Sequence, residues 1–140
     1  MKKAILGVIV IAIVCFIGVY SYTSVTAKNN FSIKQLSWDA NGKGWTDNSK
    51  NNKYDVKFES LNGSDTKEIV SKKDTFNMKI NSNIEDGNLN LKIHNDNRVI
   101  FEKDGSISKK NIKIEKDDIK NLKVEITGKE AKGHIVINMS

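Results

Sequence analysis

Apolar and polar residues alternate with a period of two along much of the chain. Tyr54, Val56 and Phe58 form the first clear apolar face. The same spacing recurs at Phe76/Met78/Ile80, Leu89/Leu91/Ile93, Leu122/Val124/Ile126 and Ile135/Ile137/Met139, with shorter segments at 31–38, 99–101 and 112–114. Such alternation is typical of β-strands that bury one face. The pattern therefore predicts about seven or eight strands.

Glycine-containing dipeptides separate these segments. Asn62-Gly63, Asp86-Gly87 and Asp104-Gly105 each have the composition of a tight turn. We expect Asp86-Gly87 to close a hairpin between Phe76–Ser82 and Asn88–Asn95. We also expect Gly128–Gly133 to connect the last two strands as a longer hairpin loop, and Asp117–Ile119 to form a short turn or one helical turn.

No segment after residue 27 repeats its apolar residues at the helical period over three turns. Short strands with frequent turns favour an all-β protein with an antiparallel β-sandwich, and a small barrel is the alternative. The pattern does not choose the order of the strands.

The N-terminal residues have the character of an export or membrane signal. Lys2 and Lys3 precede an uncharged apolar stretch, Ala4–Tyr22. As a helix, these 19 residues would span roughly 28 Å, close to the ~30 Å hydrocarbon core of a bilayer. The length favours one transmembrane helix with the C-terminal part outside the cell membrane. The small residues of 25–27 keep open the alternative of cleavage near Ala27 and secretion.

Lipid attachment is not favoured, because Ile13 and Val14 stand before Cys15 where a lipobox has small residues. The predicted organisation is therefore a leader over 1–27 and one exported domain over 28–140. Within that domain, 28–52 is an irregular strand and loop, and 53–140 is the sandwich core. The domain contains no cysteine, so that no disulfide can staple it.

The formal net charge is +6, of which Lys2 and Lys3 contribute two, leaving +4 for residues 28–140. The lysines are scattered among acidic residues and Arg98 is the single arginine, a pattern that does not favour nucleic-acid binding. It is typical of a solvated surface. The expected partners are the membrane, through residues 4–22, and a cell-wall polymer or another envelope protein.

Residues 39–52 form a polar, Gly- and Asn-rich segment between strands, which predicts a long loop. The two tryptophans, Trp38 and Trp45, bracket its first half. Exposed aromatic rings beside amide and carboxylate groups are suited to stacking on sugar rings. The candidate ligand-binding residues are therefore Trp38, Asp39, Asn41, Trp45 and Asp47. The alternative is that Trp38 ends a strand and fills the sandwich core, and that Trp45 folds back to cover an open end.

No catalytic or metal-binding pattern is present. A calcium loop beginning at Asp39 would place Lys43 and Lys50 where oxygen ligands are required. His94 and His134 have no partner at a metal-like spacing, and no nucleophile elbow occurs. We therefore predict no catalytic residue, no metal and no cofactor, and a protein that is not an enzyme.

The segment Leu122-x-Val124-x-Ile126-Thr127-Gly128, followed by Ala131-Lys132-Gly133-x-Ile135-x-Ile137, resembles the closing hairpin of immunoglobulin-like or fibronectin-like sandwiches. With its leader, the chain resembles small exported proteins of low-GC Gram-positive bacteria that carry one such domain. The resemblance implies a fold but no site residues. The predicted function is a membrane-anchored binding or accessory module at the cell envelope, with carbohydrate binding through Trp38 and Trp45 as the alternative.

Overall fold

The structure is a computed structural model that describes residues 29–140. It contains seven antiparallel strands and one 3₁₀ turn: β1 (Phe31–Lys43), β2 (Thr46–Asp47), β3 (Lys53–Ser71), β4 (Phe76–His94), β5 (Val99–Asp104), β6 (Ile107–Ile114), the turn Lys116–Asp118, and β7 (Lys123–Met139). Within these residues we find no helix long and apolar enough to cross a membrane. The predicted leader over 1–27 lies outside the described residues.

Three long strands form one continuous ladder. β7 lies between β3 and β4 and pairs with both along nearly its whole length. β1 and β2 pair with β3, whereas β5 and β6 pair with β4. Sequence-adjacent strands are thus often not neighbours, a topology that the hydrophobic pattern could not specify.

The sheet is folded back on itself. A flat strand of 19 residues would be roughly 60 Å long. β3 and β4 both run antiparallel to β7, which lies between them, so they begin at the same end of the sheet. Ser71 and Phe76 would then lie at opposite ends of the sheet, yet only four residues join them. Four residues span less than about 18 Å, so the ladder must fold across its middle. Phe31 and Phe76 accordingly meet with ring centroids 5.0 Å apart.

The fold divides the ladder into two layers. Layer A contains β2, β6 and residues 53–58, 76–84 and 133–139 of the long strands. Layer B contains β1, β5 and residues 61–71, 88–94 and 123–131. The alternating apolar side chains of both layers form one buried cluster. Residues 29–140 therefore contain a complete hydrophobic core of their own.

The crease between the layers lies where the pairing register shifts, near 58–63 in β3 and 84–88 in β4. Gly63 and Gly87 occupy it with φ of 112° and 71°. A Cβ on Gly87 would stand 2.1 Å from the carbonyl oxygen of Glu130. Both positions need glycine because the backbone is left-handed and another strand passes close by.

An antiparallel, sandwich-like all-β fold confirms the predicted fold class at this level, and the turn at Asp104-Gly105 and the helical turn near Asp117 are confirmed. Three turn predictions are wrong. Asp86-Gly87 and Gly128–Gly133 lie inside β4 and β7, because each long strand bends at a bulge and continues into the other layer. Asn62-Gly63 likewise lies inside β3.

The predicted long loop over 39–52 is also wrong in its first half. β1 continues to Lys43, and β2 follows after a two-residue connection. Asn41 pairs with Asn62 and Lys43 with Ser60, so that backbone pairing outweighs the low strand propensity of these residues. Only 44–45 and 48–52 lie outside the strands in this segment, and Lys50 forms an isolated β-bridge with Lys53.

Candidate functional site

The candidate site lies between the two layers, at the side of the sandwich where β1 and β2 are the edge strands. We call it the tryptophan opening, and it is formed by Gln35, Trp38, Trp45, Asp47 and Lys67. Trp38 pairs directly with Asp65, and Asp47 with Val56. Opposed residues in an antiparallel pair share one face of the sheet. Since Asp65 and Val56 are buried, Trp38 and Asp47 are on the inner faces of their layers.

The two tryptophans form the aromatic part of the opening. Trp38 and Trp45 meet edge to face, with ring centroids 4.6 Å apart. Trp45 is half-buried and stacks on Phe58 of the core at 6.0 Å. Trp38 remains 43% exposed, which is unusual for so large an apolar side chain. Trp45 therefore packs between Phe58 of the core and the exposed ring of Trp38.

A buried lysine forms the polar part. The side chain of Lys67 is only 2% exposed, and its ammonium lies 2.9 Å from Asp47 Oδ2 and 3.0 Å from Asp65 Oδ2. It also donates to Gln35 Oε1, and it stands 5.7 Å from the centroid of the Trp45 ring. Burying a lysine is costly unless charges and hydrogen bonds compensate, and here two carboxylates and an amide do so.

Asp47 connects the two layers through this lysine. Burial raises the pKa of the Asp47 carboxyl, but hydrogen bonds from Lys67 and Ser49 outweigh that effect and hold its pKa below the ordinary value. Asp47 is consequently ionised at neutral pH. Its charge attracts a residue of layer B, so the short β2 is held over the opening.

Tyr54 carries a buried hydroxyl with no hydrogen-bond partner among the described residues. Burial raises the pKa of this phenol well above its ordinary value, and the nearby charges of Asp65 and Asp47 raise it further. Asp65 is also fully buried. Its Oδ2 contacts the Lys67 ammonium without a well-directed hydrogen bond, and its Oδ1 accepts one from Gln35.

The structure brings together only part of the predicted ligand-binding set. Trp38, Trp45 and Asp47 meet in the opening. Asn41 lines a neighbouring groove of about 550 Å³ whose wall includes the Trp38 ring. Asp39 pairs with Ser64 and lies on the opposite face of layer B from Trp38.

Sequence reasoning missed Gln35 and Lys67 as members of the site, and it missed the buried Asp65 that contacts Lys67. A signal was present, since Asp65, Lys67 and Ile69 alternate in phase. If Ile69 points into the core, then Lys67 and Asp65 must point inward as well. Two charged residues at inward positions indicate a polar cluster inside the sheet, which is a candidate functional site.

Within residues 29–140, histidine, cysteine and carboxylate side chains form no group that could hold a metal ion. His134 pairs with Asp55 at 2.6 Å, and His94 lies 3.3 Å from Glu125. Both pairs are on outer faces of the sheet, away from the opening.

No family model matches the chain, and no curated protein matches it. Among solved structures, the chain is similar to a CBM4 domain, with 9% identity, a TM-score of 0.39 and coverage of 79% of this chain and 83% of the other. It is also similar to a family 29 carbohydrate-binding module, with 13% identity, a TM-score of 0.32 and coverage of 78% and 87%.

A third similar structure is the extra C-terminal domain of an exo-1,3/1,4-β-glucanase from a Pseudoalteromonas species. It shares 8% identity with a TM-score of 0.34, and the match covers 81% of this chain and 85% of that one. Identities and scores this low do not establish a shared function.

Proposed function

We propose that the protein is a non-enzymatic binding module of the cell envelope that binds carbohydrate at the tryptophan opening. The observation that carries the proposal is the Trp38 ring, which is 43% exposed and held in place by Trp45. A supported aromatic ring loses little entropy when a ligand stacks on it. A ring that served only the core would be covered.

The groups beside the ring suit a polyhydroxylated ligand. Gln35 and Asp47 are both exposed enough to meet a ligand, and they offer an amide and a carboxylate. Sugars present apolar C–H faces together with hydroxyl rims, and sites for such ligands combine aromatic surface with a few fixed polar groups. The Lys67 network fixes both Gln35 and Asp47, so the polar groups are preorganised.

The same network supports binding rather than catalysis. The Lys67 ammonium contacts the carboxylates of Asp47 and Asp65 at 2.9 and 3.0 Å. Burial raises the pKa of the Asp47 carboxyl, but hydrogen bonds from Lys67 and Ser49 hold it below its ordinary value, so that Asp47 is not placed as a general acid. The extracytoplasmic location is part of the proposal and depends on the predicted leader.

The test is a Trp38→Ala variant, assayed for retention on purified cell-wall polysaccharides. We expect retention to fall by roughly tenfold or more, because a stacked aromatic anchor contributes about 2 kcal/mol. Trp45→Ala is a poorer test, since Trp45 stacks on Phe58 and its removal would also open the core. Thermal unfolding of the variant should stay close to that of the wild type.

The matched control is Leu36→Ala, which removes another exposed apolar side chain of β1 that is 48% exposed. It should leave retention unchanged. Equal retention of the wild type and the Trp38→Ala variant on every polysaccharide would contradict carbohydrate binding at this site. Turnover of esterase, glycosidase or peptidase substrates would contradict the non-enzymatic part.

A further inference from the structure

The outer face of layer A collects lysines that are scattered in the sequence. Pairing places Lys53, Asn138, Lys79 and Asn111 in one row across four strands, and Lys57, His134 and Asn83 in another. Lys50 and Lys113 extend the same face at its two edges. We call this surface the lysine face, formed by Lys50, Lys53, Lys57, Lys79 and Lys113.

Few negative charges oppose these lysines. Asp55 is the one acid among the strand residues of the face, and it is already paired with Lys53 at 2.9 Å and with His134 at 2.6 Å. Glu115, just past the end of β6, pairs with Lys113. Among the described residues, Lys50, Lys57 and Lys79 form no ion pair.

The outer face of layer B provides an internal comparison. Its charges are balanced: Lys34, Lys92, Lys123 and Lys129 stand among Asp39, Glu68, Glu102, Asp104 and Glu125. Lys92 and Glu125, for example, face each other at 3.8 Å. The same sheet thus has one mixed face and one cationic face, and general lysine abundance does not explain the difference.

We propose that the lysine face docks on a membrane surface that carries anionic phospholipids. Its lysines lie on or next to β3, β4 and β6, across a width of four strands or about 14 Å, and they extend about 13 Å along β3 from Lys53 to Lys57. A two-dimensional array of charges matches the two-dimensional array of phosphates in a lipid surface. A single linear polymer would contact only one row at a time. Asparagine amides between the lysines can donate further hydrogen bonds to phosphate oxygens.

The place where the chain enters the domain agrees with this orientation. Asn29 donates a hydrogen bond to Asn51 at 3.0 Å, and Asn51 stands between Lys50 and Lys53. Asn29, the first described residue, therefore lies at the rim of the lysine face. This docking surface is separate from the tryptophan opening and does not depend on the proposed carbohydrate binding.

The experiment uses residues 28–140, which contain the whole hydrophobic core. Binding is measured to phosphatidylcholine vesicles with and without phosphatidylglycerol, at low and at physiological salt. We expect binding only to the anionic vesicles, and we expect it to weaken with salt. The triple variant Lys50→Gln, Lys57→Gln, Lys79→Gln should bind at least about tenfold more weakly, because each lysine near an anionic surface contributes roughly 1 kcal/mol.

The matched control is Lys34→Gln, Lys92→Gln, Lys129→Gln, which removes the same charge from layer B and should bind almost as tightly as the wild type. An equal loss in both triple variants would show attraction by net charge alone and overturn the proposal. So would failure of the wild type to bind anionic vesicles. Binding to soluble linear polyphosphate but not to vesicles would assign the face to a polymer instead.

Discussion

The ammonium group of Lys67 holds two carboxylates and an amide together inside the protein. Replacing it with methionine keeps the volume but leaves Asp47 and Asp65 facing each other without a counter-charge. We expect Lys67→Met to lower the free energy of unfolding by about 3–5 kcal/mol. The melting temperature should fall by more than about 12 °C, measured by circular dichroism.

Lys57→Met is the control for this substitution, because Lys57 belongs to the same strand but is exposed. Its melting temperature should stay near the wild-type value. If both variants melted alike, the buried network would contribute nothing to stability.

We expect the opposite effect on stability from removing the hydroxyl group of the nearby Tyr54. Its hydroxyl is buried without a partner, and such a group costs roughly 1–3 kcal/mol. Tyr54→Phe should therefore leave the melting temperature unchanged or raise it. A clear decrease would show that the hydroxyl makes a stabilising hydrogen bond.

At the scale of elements, one ion pair connects two loops at the end of layer B. Arg98 Nε donates to Asp118 Oδ1 at 2.8 Å, and Asn95 donates to the Asp118 carbonyl at 3.2 Å. The hydrogen bond from Arg98 holds the pKa of the Asp118 carboxyl below its ordinary value. The turn at 95–98 is thereby fastened to the 3₁₀ turn.

This lowered pKa fixes the direction of a pH effect. A carboxyl whose pKa is lower in the folded state stabilises the protein above its unfolded pKa, about 3.9, and loses that contribution as pH falls through its folded value. Asp118→Asn should therefore be less stable than the wild type at neutral pH, and the difference should shrink at about pH 3. Urea unfolding midpoints at both pH values measure it. A difference that does not change with pH would contradict the assignment.

The strand pattern of the sequence predicts the elements well where alternation is clear, as at Tyr54–Phe58 and Ile135–Met139. It fails at the crease, because an Asn-Gly or Asp-Gly dipeptide has the same local signature in a hairpin turn and in a bulge. The choice between them depends on β7, which is remote in sequence. The interior polar cluster escaped prediction for a related reason: Lys67 meets Gln35 and Asp47 only once β1, β2 and β3 are assembled.

At the scale of the whole molecule, the layers share the three strands β3, β4 and β7, so we expect them to unfold together. Gly87→Ala would place a Cβ 2.1 Å from the carbonyl oxygen of Glu130, at a φ of 71°. We expect a loss of roughly 2 kcal/mol or more from strain and steric conflict. Hydrogen exchange should show layers A and B losing protection together.

Gly105→Ala separates backbone strain from steric conflict, because Gly105 has a φ of 78° but open space around its Cβ position. It should be milder than Gly87→Ala. If protection were lost in only one layer of the Gly87→Ala variant, the long strands would not couple the layers.

The folding of the sheet also brings the first and last described residues, Asn29 and Ser140, close together. Asn29, Met139 and Ser140 line one shallow pocket at the open end of the sandwich. A short linker could therefore join Ser140 to Asn29, and the backbone could be reopened at the exposed Asp104–Ser106 turn without cutting the core. The domain is thus suited to circular permutation, and equally to insertion into a surface loop of another protein.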